Sequence, residues 1–175
     1  MRSERFLLRE YSMPGFTQKY AIIQLFEPIP VGTQFASDKW PLHSTIVDTF
    51  AIDWDAETMK NQLEKLLKKQ RTAYSAAEDD AFFGPEKQTH VVLLSQTESL
   101  KKLHYDVTSL LEHGGLTLND PQFAREGFLP HATVQKHARL HKGDEVSFTA
   151  LTIIDMFPDN DPYQRRVLAT IPLRA

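Results

Sequence analysis

The sequence predicts an α+β fold built of two similar lobes, and three observations carry that expectation. Apolar periodicity gives the order strands, helix, strands, helix, strands. Each half holds one strand-like run with a histidine two residues before a threonine, His43-Ser44-Thr45 and His131-Ala132-Thr133. No low-complexity or linker-like stretch divides the 175 residues, a length that suits one domain or two small lobes. The expected architecture is a pair of pseudosymmetric antiparallel sheets with helices on their outer faces. A duplicated arrangement of this kind sets the two motif strands side by side, so that four side chains converge in a central groove.

The elements follow in order. Tyr20 to Phe26 is rich in strand formers and is closed by Pro28 and Pro30. Ile29 to Trp40 has no helical period and reads as a loop, and the first motif lies on a strand from about Leu42 to Phe50. Asp55 caps a helix whose apolar positions Met59, Leu63, Leu66 and Leu67 fall at i, i+4, i+7 and i+8. Thr72 to Phe83 is ambiguous but strand-compatible, Gly84-Pro85 turns the chain, and Thr89 to Leu94 is a short strand. Ser95-Gln96-Thr97-Glu98 reads as a capping box for a second helix with the stripe Leu100, Leu103, Val107, Leu110 and Leu111, stopped by Gly114-Gly115. A long loop leads to the second motif. Val146 to Phe157 and Arg165 to Leu173 then form a hairpin around Pro158-Asp159-Asn160-Asp161-Pro162.

Composition limits the function. A net charge of −3 argues against a protein that coats long nucleic acid, which needs a basic face, and leaves a short or terminal phosphate ligand open. Zero cysteines exclude disulfides, cysteine nucleophiles and thiolate metal sites. The apolar runs are too short to span a bilayer, and Met1 to Gly15 lacks the continuous apolar core of a signal peptide, so a cytoplasmic monomer is expected. Lys136, His137, Arg139, His141 and Lys142, joined by Arg165 and Arg166, read as a solvated basic loop, with a phosphate-steering rim as the competing reading.

In a strand, residues i and i+2 share a face, roughly 6.5 to 7 Å apart at Cα. His43 therefore projects with Thr45, and His131 with Thr133, while Ser44, Ile46, Ala132 and Val134 face the other way. Histidine has an ordinary pKa near 6.5, so at neutral pH one ring can accept a proton while another donates one. Two histidines presented in this way can act as an acid and a base on one phosphate. Thr45 and Thr133 are placed to hydrogen-bond the nonbridging oxygens and stabilise the charge that develops on them. This chemistry requires no metal and no cofactor.

With these residues in view, the chain resembles the 2H phosphoesterase superfamily, in particular its 2'-5' RNA ligase-like proteins and cyclic nucleotide phosphodiesterases. The two His-x-Thr motifs carry the resemblance, together with the strand end Phe82-Phe83-Gly84, the strand and helix after it, and the terminal hairpin. It covers residues 19–175 as one two-lobed domain and leaves 1–18 as an N-terminal extension. The resemblance implies hydrolysis of a 2',3'-cyclic phosphate or 2'-5' phosphodiester in a nucleotide or RNA end, with His43 as proton donor and His131 as proton acceptor, and 2'-5' RNA ligase activity in reverse. The segment Glu27 to Pro41 departs from the RNA ligase-like members, which carry a helix there.

Tyr163 and Arg165 are further candidates, for stacking on a base and contacting phosphate, against core packing or solvent exposure. His90, His104 and His113 read as structural. His137 and His141 have the i, i+4 spacing of a metal pair on a helix, but no third ligand is evident and the basic surroundings repel a cation, so no metal site is expected. The alternative function is a domain that binds a nucleotide or RNA end without turning it over.

Overall fold

The computed structural model describes residues 18–175, so the expected extension 1–18 lies outside the described residues apart from Gln18. Two antiparallel sheets organise the chain. The first has six strands in the order β2-β10-β9-β1-β3-β6, from Tyr20–Leu25 (β1), Gln34–Ala36 (β2), His43–Ala51 (β3), Thr117–Leu118 (β6), Ala150–Asp155 (β9) and Gln164–Pro172 (β10). The second has four in the order β7-β5-β4-β8, from Ala73–Phe83 (β4), Thr89–Leu94 (β5), His131–Thr133 (β7) and Glu145–Phe148 (β8). Helices α1 (Ala56–Leu67) and α2 (Glu98–Glu112) pack against each other, α1 on β10 and α2 on β3 and β4.

Local chemistry explains the helix limits. Asp55 accepts the N–H of Thr58 at 2.7 Å, the cap expected for α1. The cap of α2 differs from the predicted box. Thr97 accepts the N–H of Leu100, while the Ser95 hydroxyl is drawn off to the Ala76 carbonyl and Glu78. Gly115 ends the helix at φ +82°, and a Cβ there would lie 2.1 Å from the Asp53 carboxylate, so both space and backbone require glycine.

Met59, Leu63, Leu67, Leu100, Leu103, Val107 and Leu111 from the helices meet Ile22, Ile46, Phe50, Val92 and Phe148 in the main core. Removing this area from water at about 25 cal/mol per Å² is the dominant stabilising term. A smaller cluster of Ala21, Ile23, Ile154, Met156 and Val167 lies on the other face of the six-stranded sheet, with Phe35 and Trp40 packed over it.

Three elements depart from the sequence expectation. The loop Ile29 to Trp40 contains β2, an edge strand that pairs with β10 through Phe35↔Arg165. The long loop before the second motif contains β6, which pairs with the end of β3. The single run Val146 to Phe157 divides at Thr149 into β8 and β9, which belong to different sheets: β8 pairs with β4, and β9 with β1 and β10. Gln24 makes this crossing, since its Oε1 accepts the N–H groups of Thr149 and Ala150 at 2.7 and 3.1 Å. The expected hairpin is thus formed by β9 and β10 alone.

Candidate active site

His43 opens β3 and His131 opens β7. These strands belong to different sheets but lie against each other, and the groove forms along that seam. Pairing fixes the faces. Leu25↔His43 and Ile23↔Thr45 set the first motif on the face that carries Ala21 and Ile23, whereas Ile46 enters the helix-covered core. Leu93↔His131 and Val91↔Thr133 hold the second motif.

The two rings are anchored alike. His43 Nδ1 lies 2.8 Å from the Pro41 carbonyl, and His131 Nδ1 lies 2.8 Å from the Leu129 carbonyl. A carbonyl only accepts, so Nδ1 carries the hydrogen in both, and Nε2 is left as the basic nitrogen with no partner among the described residues. An aromatic ring braces each imidazole: Trp40 against His43 at 4.7 Å between centroids, and Phe83 edge-on to His131 at 4.9 Å.

Burial holds both proton affinities below the ordinary histidine value. For His43 desolvation is the largest cause, partly opposed by the Pro41 carbonyl, and the neighbouring His131 lowers it further. For His131 desolvation again dominates, against the Leu129 carbonyl and the Asp48 carboxylate, which raise it. Each ring is therefore neutral at rest near pH 7, and negative charge brought beside it favours its protonation.

Two chambers meet along the seam. The one at His43, about 330 Å³, is lined by Ser37, Asp38, Trp40, Thr45, Thr133 and Gln135 among others. The one at His131, about 600 Å³, is lined by Thr45, Phe82, Phe83, Phe123, Phe128 and Leu129 among others. Thr45 and Asp48 border both, so the four motif side chains share one continuous groove.

Asp48, Trp40 and Phe123 carry no sequence signal that marks them for the site. Strict alternation puts Asp48 on the face opposite Thr45. In the structure Ile23↔Thr45, Ile22↔Val47 and Tyr20↔Phe50 show two irregularities in β3, so Ile46 and Val47 are both buried and Asp48 turns into the groove. Phe123 has no periodic context, because it lies in a 3-10 turn.

The other candidates lie apart from the groove lining. Arg165 is buried beneath Trp40, its guanidinium 5.8 Å from that ring and donating to the carbonyls of Met156, Pro162 and Gln164. Tyr163 is exposed on the adjacent loop. Several residues of the basic stretch have local acidic partners: Arg139 pairs with Asp80, Lys142 with Asp79 and Arg166 with Asp159, and His137 contacts Glu27. Among the described residues no group of three or more His, Asp or Glu side chains is gathered closely enough to hold a metal ion. No helix among them is long and apolar enough to cross a membrane.

No family model and no curated protein sequence matches the chain. Solved structures do. E. coli LigT complexed with 3'-AMP superposes with a TM-score of 0.53 at 17% identity, over 90% of this chain and 99% of its own. The Thermus thermophilus protein TT0787 does so at 0.53 and 15%, over 90% and 98%. The fold is that of the LigT-like 2H phosphoesterases. A further structure described only as a phosphoesterase aligns at 0.52 and 16%, over 90% of this chain and 99% of its own. In this chain the motif histidines lie along the seam between its two antiparallel sheets.

Proposed function

We propose that this chain is a 2H phosphoesterase that hydrolyses a 2',3'-cyclic phosphate or 2'-5' phosphodiester of a nucleotide or RNA end, without a metal ion. The observation that carries this reading is the equivalence of the two histidines. Each begins a strand of a different sheet, each donates Nδ1–H to the carbonyl two residues earlier, and each keeps Nε2 basic beside a threonine.

The reaction assigns these parts. Water attacks phosphorus while Nε2 of His131 takes its proton, and the bond from phosphorus to the departing ribose oxygen breaks as His43, protonated at Nε2, donates to that oxygen. Thr45 and Thr133 donate to the nonbridging oxygens as charge accumulates there. With a 5'-hydroxyl in place of water as the nucleophile, His131 takes the proton of that hydroxyl and His43 again protonates the departing ribose oxygen, so the same groups join a cyclic-ended strand to a 5'-hydroxyl end. The apolar chamber at His131 suits the base and ribose of the substrate. A cytoplasmic monomer acting on short or terminal substrates agrees with the charge balance.

Turnover of 2',3'-cyclic nucleotides and cyclic-ended oligonucleotides tests the reading. His43→Ala and His131→Ala should each remove it, and EDTA should leave the wild-type rate unchanged. Wild-type rates in both variants would overturn the proposal. The apolar chamber equally fits a domain that only holds a nucleotide, and tight binding of a nonhydrolysable cyclic analogue without product would establish that alternative.

A further inference from the structure

His104 is a buried titratable side chain with no part in the chemistry above. It lies on the inner face of α2 and is 2% exposed. Its Nδ1 is 2.6 Å from the Ile46 carbonyl, one residue beyond Thr45 in β3, and its Nε2 is 2.8 Å from the backbone nitrogen of Arg125. A carbonyl only accepts and an amide N–H only donates. The two contacts therefore admit one state, the neutral ring with its hydrogen on Nδ1. Phe128 lies flat against the ring, 4.0 Å between centroids and 3° from parallel.

What His104 holds is a wall of the groove. Residues 119–130 connect β6 to β7 through two 3-10 turns, present Phe123, Phe128 and Leu129 to the apolar chamber, and supply the Leu129 carbonyl that orients His131. The segment is strained at one residue. Arg125 sits at φ +55°, a left-handed conformation that a side-chain-bearing residue rarely adopts. Gly127 permits the close turn, since a Cβ there would lie 1.7 Å from the Gln122 carbonyl. The His104 contact falls on the N–H of the strained residue.

We propose that neutral His104 is a positioning residue that ties the 119–130 wall to β3 beside Thr45, and that its protonation releases the wall. A second N–H on the ring would point at the Arg125 N–H, setting donor against donor. The groups that face it agree. The 3-10 turn brings the Arg125 guanidinium, which pairs with Glu112 and lies over Tyr105, both on the helix of His104, while β3 offers only a carbonyl and Phe128 only a ring. Burial first, and the Arg125 charge after it, hold the proton affinity of His104 below the ordinary value against the opposing Ile46 carbonyl. The tie is therefore complete at neutral pH and is lost as pH falls through that lowered value.

Hydrogen exchange on the full-length chain tests this, with protection corrected for intrinsic pH dependence. Protection of 119–130 should fall on acidification before that of β1 and β9, and nitrogen NMR of labelled histidine should show His104 as the Nδ1–H tautomer at pH 7.5. His104→Asn keeps a donor for Ile46 but leaves the Arg125 N–H without its acceptor. It should expose 119–130 about tenfold more at neutral pH and abolish the acid-dependent step, since loss of one buried hydrogen-bond partner has effects of that order. It should raise KM more than it lowers kcat. Uniform loss of protection in the wild type, or an Nε2–H tautomer, would overturn the proposal, and these two wild-type measurements decide it even where the variant fails to fold. Only the kinetic arm rests on the phosphoesterase reading. Absence of turnover in the wild type would defeat that reading and leave the exchange and NMR results to decide this one.

Discussion

The two halves of the groove hold the same histidine in the same way and surround it differently. His43 starts a nine-residue strand, fifth of the six in its sheet, that pairs along its length with β1 and only at its far end with β6, and its chamber is small and edged with Ser37, Asp38, Thr49 and Gln135. His131 starts a three-residue strand at the edge of the smaller sheet, and its chamber is larger and walled by phenylalanines. The shared anchor, Nδ1–H to the carbonyl at i−2, leaves both rings with a basic Nε2 toward the groove. Under the proposed phosphoesterase function, the unlike walls are where the two sides of the substrate are told apart. His43 and Thr45 are held by β1 as part of a long strand, whereas the wall of the His131 half depends also on side-chain contacts such as that of His104.

The largest effects should break the symmetry of the rings themselves. His43→Ala and His131→Ala should each reduce kcat/KM for a 2',3'-cyclic nucleotide by about 10²- to 10⁴-fold, the usual contribution of a general acid or base. Next come the threonines. Thr45→Ala and Thr133→Ala should each lower kcat by about 10²-fold through lost donors to the nonbridging oxygens, with KM less affected.

The walls should then separate. Phe123→Ala should raise KM by about 10-fold if a base stacks in the apolar chamber, since such stacking contributes roughly 1–3 kcal/mol, while Ser37→Ala at the other chamber should have little effect. Equal effects would erase the distinction between the chambers. The pH profile follows from the lowered proton affinities of His43 and His131. One ring must be protonated and the other neutral, so kcat/KM should trace a bell with its maximum below about pH 6.5. The smallest effect concerns stability. Unfolded histidines bind protons near pH 6.5, and folded His43, His104 and His131 do so only at lower pH. Stability from these groups is thus complete above about pH 6.5 and lost as pH falls below it, which a series of thermal melts should show as a declining Tm.

Much of this was legible in the chain. Runs of strand formers found β1, β3, β5 and the final β9–β10 pairing, and a 3.6-residue repeat found both helices, because a helix buries one stripe and a strand between two neighbours is apolar on both faces. The i, i+2 rule put each motif's histidine and threonine on one face. What escaped it lacked such a repeat. β2 and β6 are three and two residues long and exist through their partners β10 and β3. Thr149, where the chain passes from one sheet to the other, lies within an unbroken strand-forming run, and only Gln24 reaching from β1 marks the break.

The chemistry-bearing residues, their pairing on strand faces and the α+β order are all written in the chain, since backbone geometry and side-chain type are local properties. Folding in three dimensions was needed to bring the two motifs into one groove, to turn Asp48 into it through bulges, to set Arg165 beneath Trp40, and to have a helix histidine hold the opposite wall. Those outcomes depend on contacts between residues tens of positions apart, and no spacing along the chain encodes them.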